Sequence, residues 1–153
     1  MEEVNRIDDQ LKRAFEGHAW HGPSMLEVLA DVTAERAAAK PLSGAHSTWE
    51  IVLHVTAWHV GVRRRLEGER VELSPEEDWP PVTDTSDTAW RQALAALQQT
   101  HMELRSTVSR LADSRLPEKV AGKDHSVYVM LHGLIQHNLY HAGQVALLKK
   151  AWS

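Results

Sequence analysis

Apolar residues recur every three to four positions along four long stretches of the chain, which is the spacing of an amphipathic helix. The first stretch begins at Val4, and a shorter helix that Ser24 can cap follows it. The second long stretch runs from Ser47 to Gly68, and its Ser47 and Glu50 have the three-residue spacing of a capping box. We therefore assign Glu50 to a helix start rather than to a functional site.

The second half of the chain continues this pattern in two further long segments. A third helix is predicted over residues 86–112 and a fourth over residues 126–150. Residues 69–84 contain three prolines and are predicted to form a loop that Trp79 anchors. No segment alternates apolar and polar residues for long enough to indicate a strand. The pattern predicts an all-α fold, a four-helix bundle with a long crossover loop between the second and third helices.

Length and composition indicate one globular domain over residues 1–153, because 42% apolar and 25% charged residues are ordinary values. The net charge is −4, and the one basic cluster, residues 63–65, is short, which argues against nucleic-acid binding. No apolar stretch approaches the roughly 20 residues of a membrane span, and the N-terminus is not signal-like, so we expect no membrane association and a cytoplasmic location. The lack of cysteine excludes disulfides, thiolate ligands and a cysteine nucleophile.

The chain has ten histidines, and two of them lie four residues apart in the fourth helix. Residues at this spacing share one helix face, so His137 and His141 have the geometry of two ligands for one metal ion. The same spacing also suits two half-exposed polar residues on a solvent face. His54 lies on the apolar stripe of the second helix, where a buried imidazole needs a partner. That partner is either a backbone carbonyl or a metal ion shared with the pair.

Several residues near these histidines have candidate roles of their own. Gln144 and Tyr140 neighbour the pair on the fourth helix and are expected to line a pocket. His101 lies on the apolar stripe of the third helix and is another pocket-lining candidate. Gly133 and Gly143 are expected to permit close approach of a neighbouring helix, because glycine has no side chain.

Three segments together resemble the DinB-like family of metal-binding four-helix bundles. They are HSTWEIVLHVTAWH, the EEDWPP loop and the terminal GLIQHNLYHAGQVALLKK, and the likeness covers nearly the whole chain. The resemblance implies that one histidine of the second helix, His54, and the pair of the last helix, His137 and His141, bind a divalent metal ion. It also implies a long connection between the second and third helices and a homodimer.

Three neutral imidazoles leave at least one coordination position open, which is the arrangement of a catalytic metal site. Nitrogen donors suit zinc and nickel, and also cobalt and iron. The family includes bacillithiol S-transferases and mycothiol-dependent isomerases, so the resemblance implies a low-molecular-weight thiol and a small-molecule substrate. We therefore expect a metal-dependent thiol S-transferase that acts on a small electrophile. The alternatives are a non-catalytic metal- or ligand-binding bundle linked to stress response and a metal-dependent hydrolase.

Overall fold

The computed structural model describes residues 2–152, and in this range it contains seven α-helices and no β-strand. Four helices are long and correspond to the four predicted segments: α1 Glu3–Phe15, α4 Thr48–Leu66, α6 Asp87–Ser109 and α7 Val127–Lys150. Three are short: α2 Met25–Leu29, α3 Ala34–Ala38 and α5 Pro75–Asp78. The predicted all-α fold is confirmed, while α3 and α5 are additional to the predicted elements. No helix within residues 2–152 has the length and apolarity needed to cross a bilayer.

Hydroxyl side chains begin six of these helices. In α2 to α7 a serine or threonine precedes the helix and accepts a hydrogen bond from a backbone N–H of the first turn. The predicted capping box of α4 is present, with Ser47 Oγ 3.1 Å from Glu50 N and Glu50 Oε1 3.4 Å from Ser47 N. Helix α1 is capped from a distance instead, because the Asp113 carboxylate accepts from the N–H groups of Glu3 and Val4.

The four long helices form a bundle in which each packs against two neighbours. Helix α4 contacts α6 and α7, and α1 also contacts α6 and α7. Contacts between α4 and α6 join Trp49 to Trp90 and His59 to Thr100, in the same order along both helices. These two helices therefore run parallel, and the connection over residues 67–86 returns along the length of the bundle. Its short helix α5 packs against α4.

The core contains two apolar clusters with a layer of polar side chains between them. One cluster includes Val55 of α4 and Leu97 of α6, and the other includes residues two to three turns further along both helices. The positions between the clusters are occupied by His59, His101 and Asn138, whose exposed fractions are 0%, 1% and 0%. His101 therefore lies in the core rather than on a pocket wall.

Both histidines of this layer are uncharged. Burial lowers the pKa of His59 to about 3, and the neighbouring His101 acts in the same direction. Burial likewise lowers the pKa of His101 to about 3, with Arg105 as a further cause. Phe15 packs against both rings, with ring centroids 5.4 Å from His59 and 3.9 Å from His101. Phe15 thus covers both rings on the α1 side, and the neighbouring Glu16 carboxylate lies 3.3 Å from His101 Nε2 at the edge of the layer.

Acid should destabilise the fold through this polar layer. A histidine of the unfolded chain takes up a proton below about pH 6.5, whereas folded His59 and His101 stay neutral down to about pH 3. The unfolded state binds more protons in this window, so the free energy of unfolding should fall as the pH is lowered from 7 to 4. We expect His101→Gln to reduce this slope by up to about 1 kcal/mol per pH unit.

Urea unfolding at a series of pH values, with a chelator present, measures this slope. The control is His18→Gln, because His18 lies on the surface outside the core. The quantity to compare is the slope of the unfolding free energy against pH. The stability at pH 7 is not compared, because His101→Gln can change it through lost packing alone. If His101→Gln has the same slope as the unmodified protein, His101 is not a buried neutral histidine.

Candidate metal centre

Three imidazoles from two helices converge between α4 and α7. His54, His137 and His141 can each offer one ring nitrogen, and these three atoms lie within 4.8 Å of one another. The Nε2 atoms of His54 and His137 are 3.0 Å apart. Two ligands of a tetrahedral zinc ion, at bond lengths of about 2.0–2.1 Å, lie roughly 3.3 Å apart. The His54–His137 pair therefore needs a shift of a few tenths of an ångström to fit a divalent ion, and the third ring nitrogen, which lies within 4.8 Å of the others, needs a shift of at most about 1.5 Å. We call these three residues the histidine cluster.

Hydrogen bonds at the outer nitrogens orient two of the three rings. His54 Nδ1 lies 2.6 Å from the backbone carbonyl oxygen of Asp78, and His141 Nδ1 lies 2.6 Å from Gln144 Oε1. Because both oxygens are acceptors, Nδ1 carries the proton in each ring and Nε2 keeps a free lone pair. This is the tautomer that a metal ligand needs, and the acceptor at the opposite nitrogen holds it in place.

The third ring borders the polar layer of the core. His137 Nδ1 is buried and has no hydrogen-bond partner among the described residues, and the same is true of both amide atoms of Asn138. Burial lowers the pKa of both His137 and His59, and the Asn138 amide opposes this shift in both. Asn138 directly follows His137 in α7 and is buried in the same layer as His59 and His101, so the histidine cluster and the polar layer adjoin each other.

All three imidazoles of the cluster are neutral near pH 7. Burial lowers the pKa of His137 to about 3, with the adjacent His141 and His54 as further causes. In His54 and His141 burial also lowers the pKa, against the opposing effects of Asp78 and Gln144. Neutral imidazole is the form that binds a divalent metal, so no proton has to leave before an ion is bound near neutral pH.

The connection between α4 and α6 builds one wall of the cluster. The carboxylate of Asp78, at the end of α5, accepts a hydrogen bond from Trp58 Nε1 at 2.7 Å. The Trp79 ring lies between two imidazoles, 3.8 Å from the ring centroid of His54 and 3.6 Å from that of His46, and nearly parallel to both. Trp79 thus anchors the connection as predicted. The contribution of Asp78 was not predicted, because nothing in the local sequence shows that its carbonyl faces His54.

The remaining candidates lie outside the cluster or at its edge. Glu50 closes the capping box of α4 and lies 2.8 Å from His46 Nδ1, so it has the structural role assigned to it. Tyr140 packs edge-on to the His141 ring at 5.3 Å, but it is 66% exposed. Gln144 contacts the cluster directly, as expected for a residue of the site, through its hydrogen bond to His141.

A family model described as the DinB superfamily matches residues 19–145. No curated protein and no solved structure matches the chain. The matched range includes five complete helices, α2 to α6, most of α7 and all three members of the histidine cluster. The resemblance seen in the sequence is confirmed: the chain belongs to the DinB superfamily.

Proposed function

We propose that this protein binds a divalent metal ion, zinc or nickel, through His54, His137 and His141 and acts as a metal-dependent thiol S-transferase. The observation that carries the proposal is the convergence of three neutral imidazoles whose ring nitrogens lie within 4.8 Å of one another. Three protein ligands leave at least one position of a four-coordinate ion for a substrate atom.

An ion at this position would supply a Lewis acid that favours the deprotonated form of a small thiol. The chain has no cysteine, so the thiol is a separate low-molecular-weight molecule. In the transfer, sulfur forms a bond to the electrophilic carbon while the bond to the leaving group breaks, and the displaced group takes up the thiol proton. Trp58, fixed by its hydrogen bond to Asp78, is an apolar surface beside His137 that limits access of water.

The position of the nearest carboxylate favours transfer over hydrolysis. A metal-dependent hydrolase needs a base within hydrogen-bond reach of the attacking water. The Asp78 carboxylate lies 3.1 Å from Nδ1 of His54, on the side of the ring away from Nε2, and it already accepts from Trp58. A cavity of about 420 Å³ that reaches His137 favours a transferase over a closed, non-catalytic binding module, because a substrate can enter beside the cluster.

The family resemblance implies a homodimer, and the sequence pattern implies a cytoplasmic location; both stay predictions. Nucleic acid is not among the proposed partners, because the net charge is −4 and the basic residues form no broad surface in the sequence. The proposed partner is a small molecule, and the proposed cofactors are one divalent ion and a low-molecular-weight thiol.

Replacing a member of the histidine cluster should abolish tight metal binding. We expect one zinc or nickel ion per chain in the unmodified protein, and little metal in His54→Ala, His137→Ala or His141→Ala. With only two imidazoles left, the metal affinity should fall by more than the roughly 10–100-fold that is typical when a hydrogen-bond partner of a ligand is lost. Elemental analysis after removal of any purification tag measures the content, with His132→Ala as the control from the same helix. Equal metal content in all variants would exclude this site.

Gln144 should set the metal affinity without binding the ion. Its Oε1 holds the Nδ1 proton of His141 at 2.6 Å, so Gln144→Ala should weaken metal binding by roughly 10–100-fold. Gln144→Glu keeps an acceptor there and should retain or increase the affinity. Competition with a chromophoric chelator measures both, and Gln136→Ala, an exposed glutamine of α7, is the control. Equal affinities in Gln144→Ala and Gln136→Ala would contradict this orienting role.

Transfer itself should depend on the metal and on the cluster. Incubation of the metal-loaded protein with a small thiol and an alkylating electrophile should yield the thioether faster than the uncatalysed reaction, as measured by mass spectrometry. The chelator-treated protein and His137→Ala should show only the background rate. If none of the common cellular thiols gives a metal-dependent product, the transferase proposal is contradicted. That result would not affect the proposal of the metal site.

A further inference from the structure

A groove between α4 and α7 extends from the histidine cluster towards a group of basic residues. Its volume, about 420 Å³, is within the range of small-molecule sites. The walls are mainly apolar and include Trp58, Val62, Met130 and Leu134. The polar lining residues belong to the two ends of the groove. His137 is the member of the histidine cluster, and the basic residues at the other end are Arg65, Lys123 and His125.

The spacing along the helices separates the two ends of the groove. Helices α4 and α7 run antiparallel, since His54 near the start of α4 contacts His141 well along α7, whereas Val62 and Met130 share the groove. Trp58, which contacts His137, and Arg65 are seven residues apart on α4, which corresponds to a rise of about 10 Å. The Arg65 side chain reaches back over the Trp58 ring, which lies 5.9 Å from the His137 ring, so the guanidinium is at most about 11 Å, or two helical turns, from His137.

Arg65 is a buried cation without a direct ion-pair partner among the described residues. Burial lowers its pKa, and Glu72 opposes this shift from a distance, but the Glu72 carboxylate pairs with Lys123. Arg65 is 7% exposed, and within residues 2–152 no carboxylate forms an ion pair with it. Its Nε and Nη2 donate to the Val71 carbonyl at 3.3 and 2.9 Å, while Nη1 has no hydrogen bond among the described residues. The guanidinium also lies over the Trp58 ring, 5.3 Å from its centroid. A buried charge of this kind is costly unless an anion pairs with it.

The other basic lining residues supply less free charge. Lys123 Nζ lies 2.7 Å from a carboxylate oxygen of Glu72 and is therefore paired already. His125 precedes the start of α7 and adds a ring nitrogen at the same end of the groove. Arg65 is thus the cation that remains available to a ligand, and its planar guanidinium suits the two oxygens of a carboxylate.

We propose that this groove binds a carboxylate-bearing substrate, with the carboxylate at Arg65 and the reacting end at the histidine cluster. The substrate has an apolar body about two helical turns long that packs on Trp58, Val62, Met130 and Leu134. This assignment rests on the proposed transferase function, since it names the class of thiol or electrophile that the site accepts.

Two glycines of α7 provide a matched pair of variants. Gly133 lines the groove, and a Cβ there would meet no atom within 4 Å outside the backbone of its own helix. The same is true of Gly143, which lies outside the groove. Neither glycine therefore serves close helix packing, and that expectation from the sequence was wrong. Gly133→Leu fills the groove, and both leucines favour the helix by about 1 kcal/mol relative to glycine.

The test compares two ligands that differ only at one terminus, ω-mercaptooctanoate and ω-mercaptooctanol, by calorimetric titration of the metal-loaded protein. A charge-assisted hydrogen bond should make the acid bind about tenfold or more tightly than the alcohol. Arg65→Met should remove this preference, whereas Arg64→Met, which replaces a more exposed arginine outside the groove, should keep it. Gly133→Leu should weaken binding of both ligands, and Gly143→Leu should change neither.

Titration of the metal-free protein with octanoate and octanol separates this proposal from the metal site. A preference for octanoate that Arg65→Met abolishes supports the carboxylate subsite even if the chain binds no metal. Equal binding of acid and alcohol to the unmodified protein, or a preference that survives in Arg65→Met, would overturn it. If Arg65→Met does not fold, octanoate binding that survives in Gly133→Leu would place the ligand elsewhere and overturn the proposal too.

Discussion

The structure depends on keeping several neutral imidazoles inside a helical bundle. An imidazole that leaves water without a partner costs a few kcal/mol, so each ring nitrogen of the region needs an acceptor, a donor or an ion. The outer nitrogens of His54 and His141 have oxygen acceptors, and His59 has the Thr100 hydroxyl. Among the described residues, His59 Nε2, His101 Nδ1 and His137 Nδ1 are buried without a hydrogen-bond partner. Within the histidine cluster, the Nε2 atoms of His54 and His137 face each other at 3.0 Å, where one cation would bind their lone pairs.

The position of this cluster follows from the different directions in which neighbouring residues of helix α7 point. Successive residues of a helix differ in direction by about 100°, so His137 faces α4 and the groove while Asn138 enters the centre of the core. The apolar clusters on either side of the polar layer, with Val55 in one and Leu134 in the other, hold this part of α7 in place. Rigid apolar packing thus positions polar atoms that make few hydrogen bonds of their own.

The topology decides which side of the cluster is closed and which is open. Because α4 and α6 run parallel, the chain must return between them, and that return places Asp78 and Trp79 against His54. The opposite side, beside His137, opens into a groove that ends at Arg65, with which no carboxylate within residues 2–152 forms an ion pair. A metal ion held by the cluster would have one closed side and one open, charged side, which would suit the proposed elongated substrate.

Local signals in the sequence were sufficient for the long helices, since apolar periodicity and serine caps act within one or two turns, and for the pairing of His137 with His141 on one face. The capping box of Ser74 and Glu77 also marks α5, although the prolines around it favoured a loop. By itself, then, the sequence determined the helices and, through its family resemblance, the expectation that His54 completes a ligand set with the pair. Only the tertiary structure decided that Asp78 orients His54, that Asn138 lies in the core beside the cluster, and that Arg65 forms no ion pair with a carboxylate of the described residues. These relations join residues on different helices or depend on absent neighbours, and no local spacing encodes them.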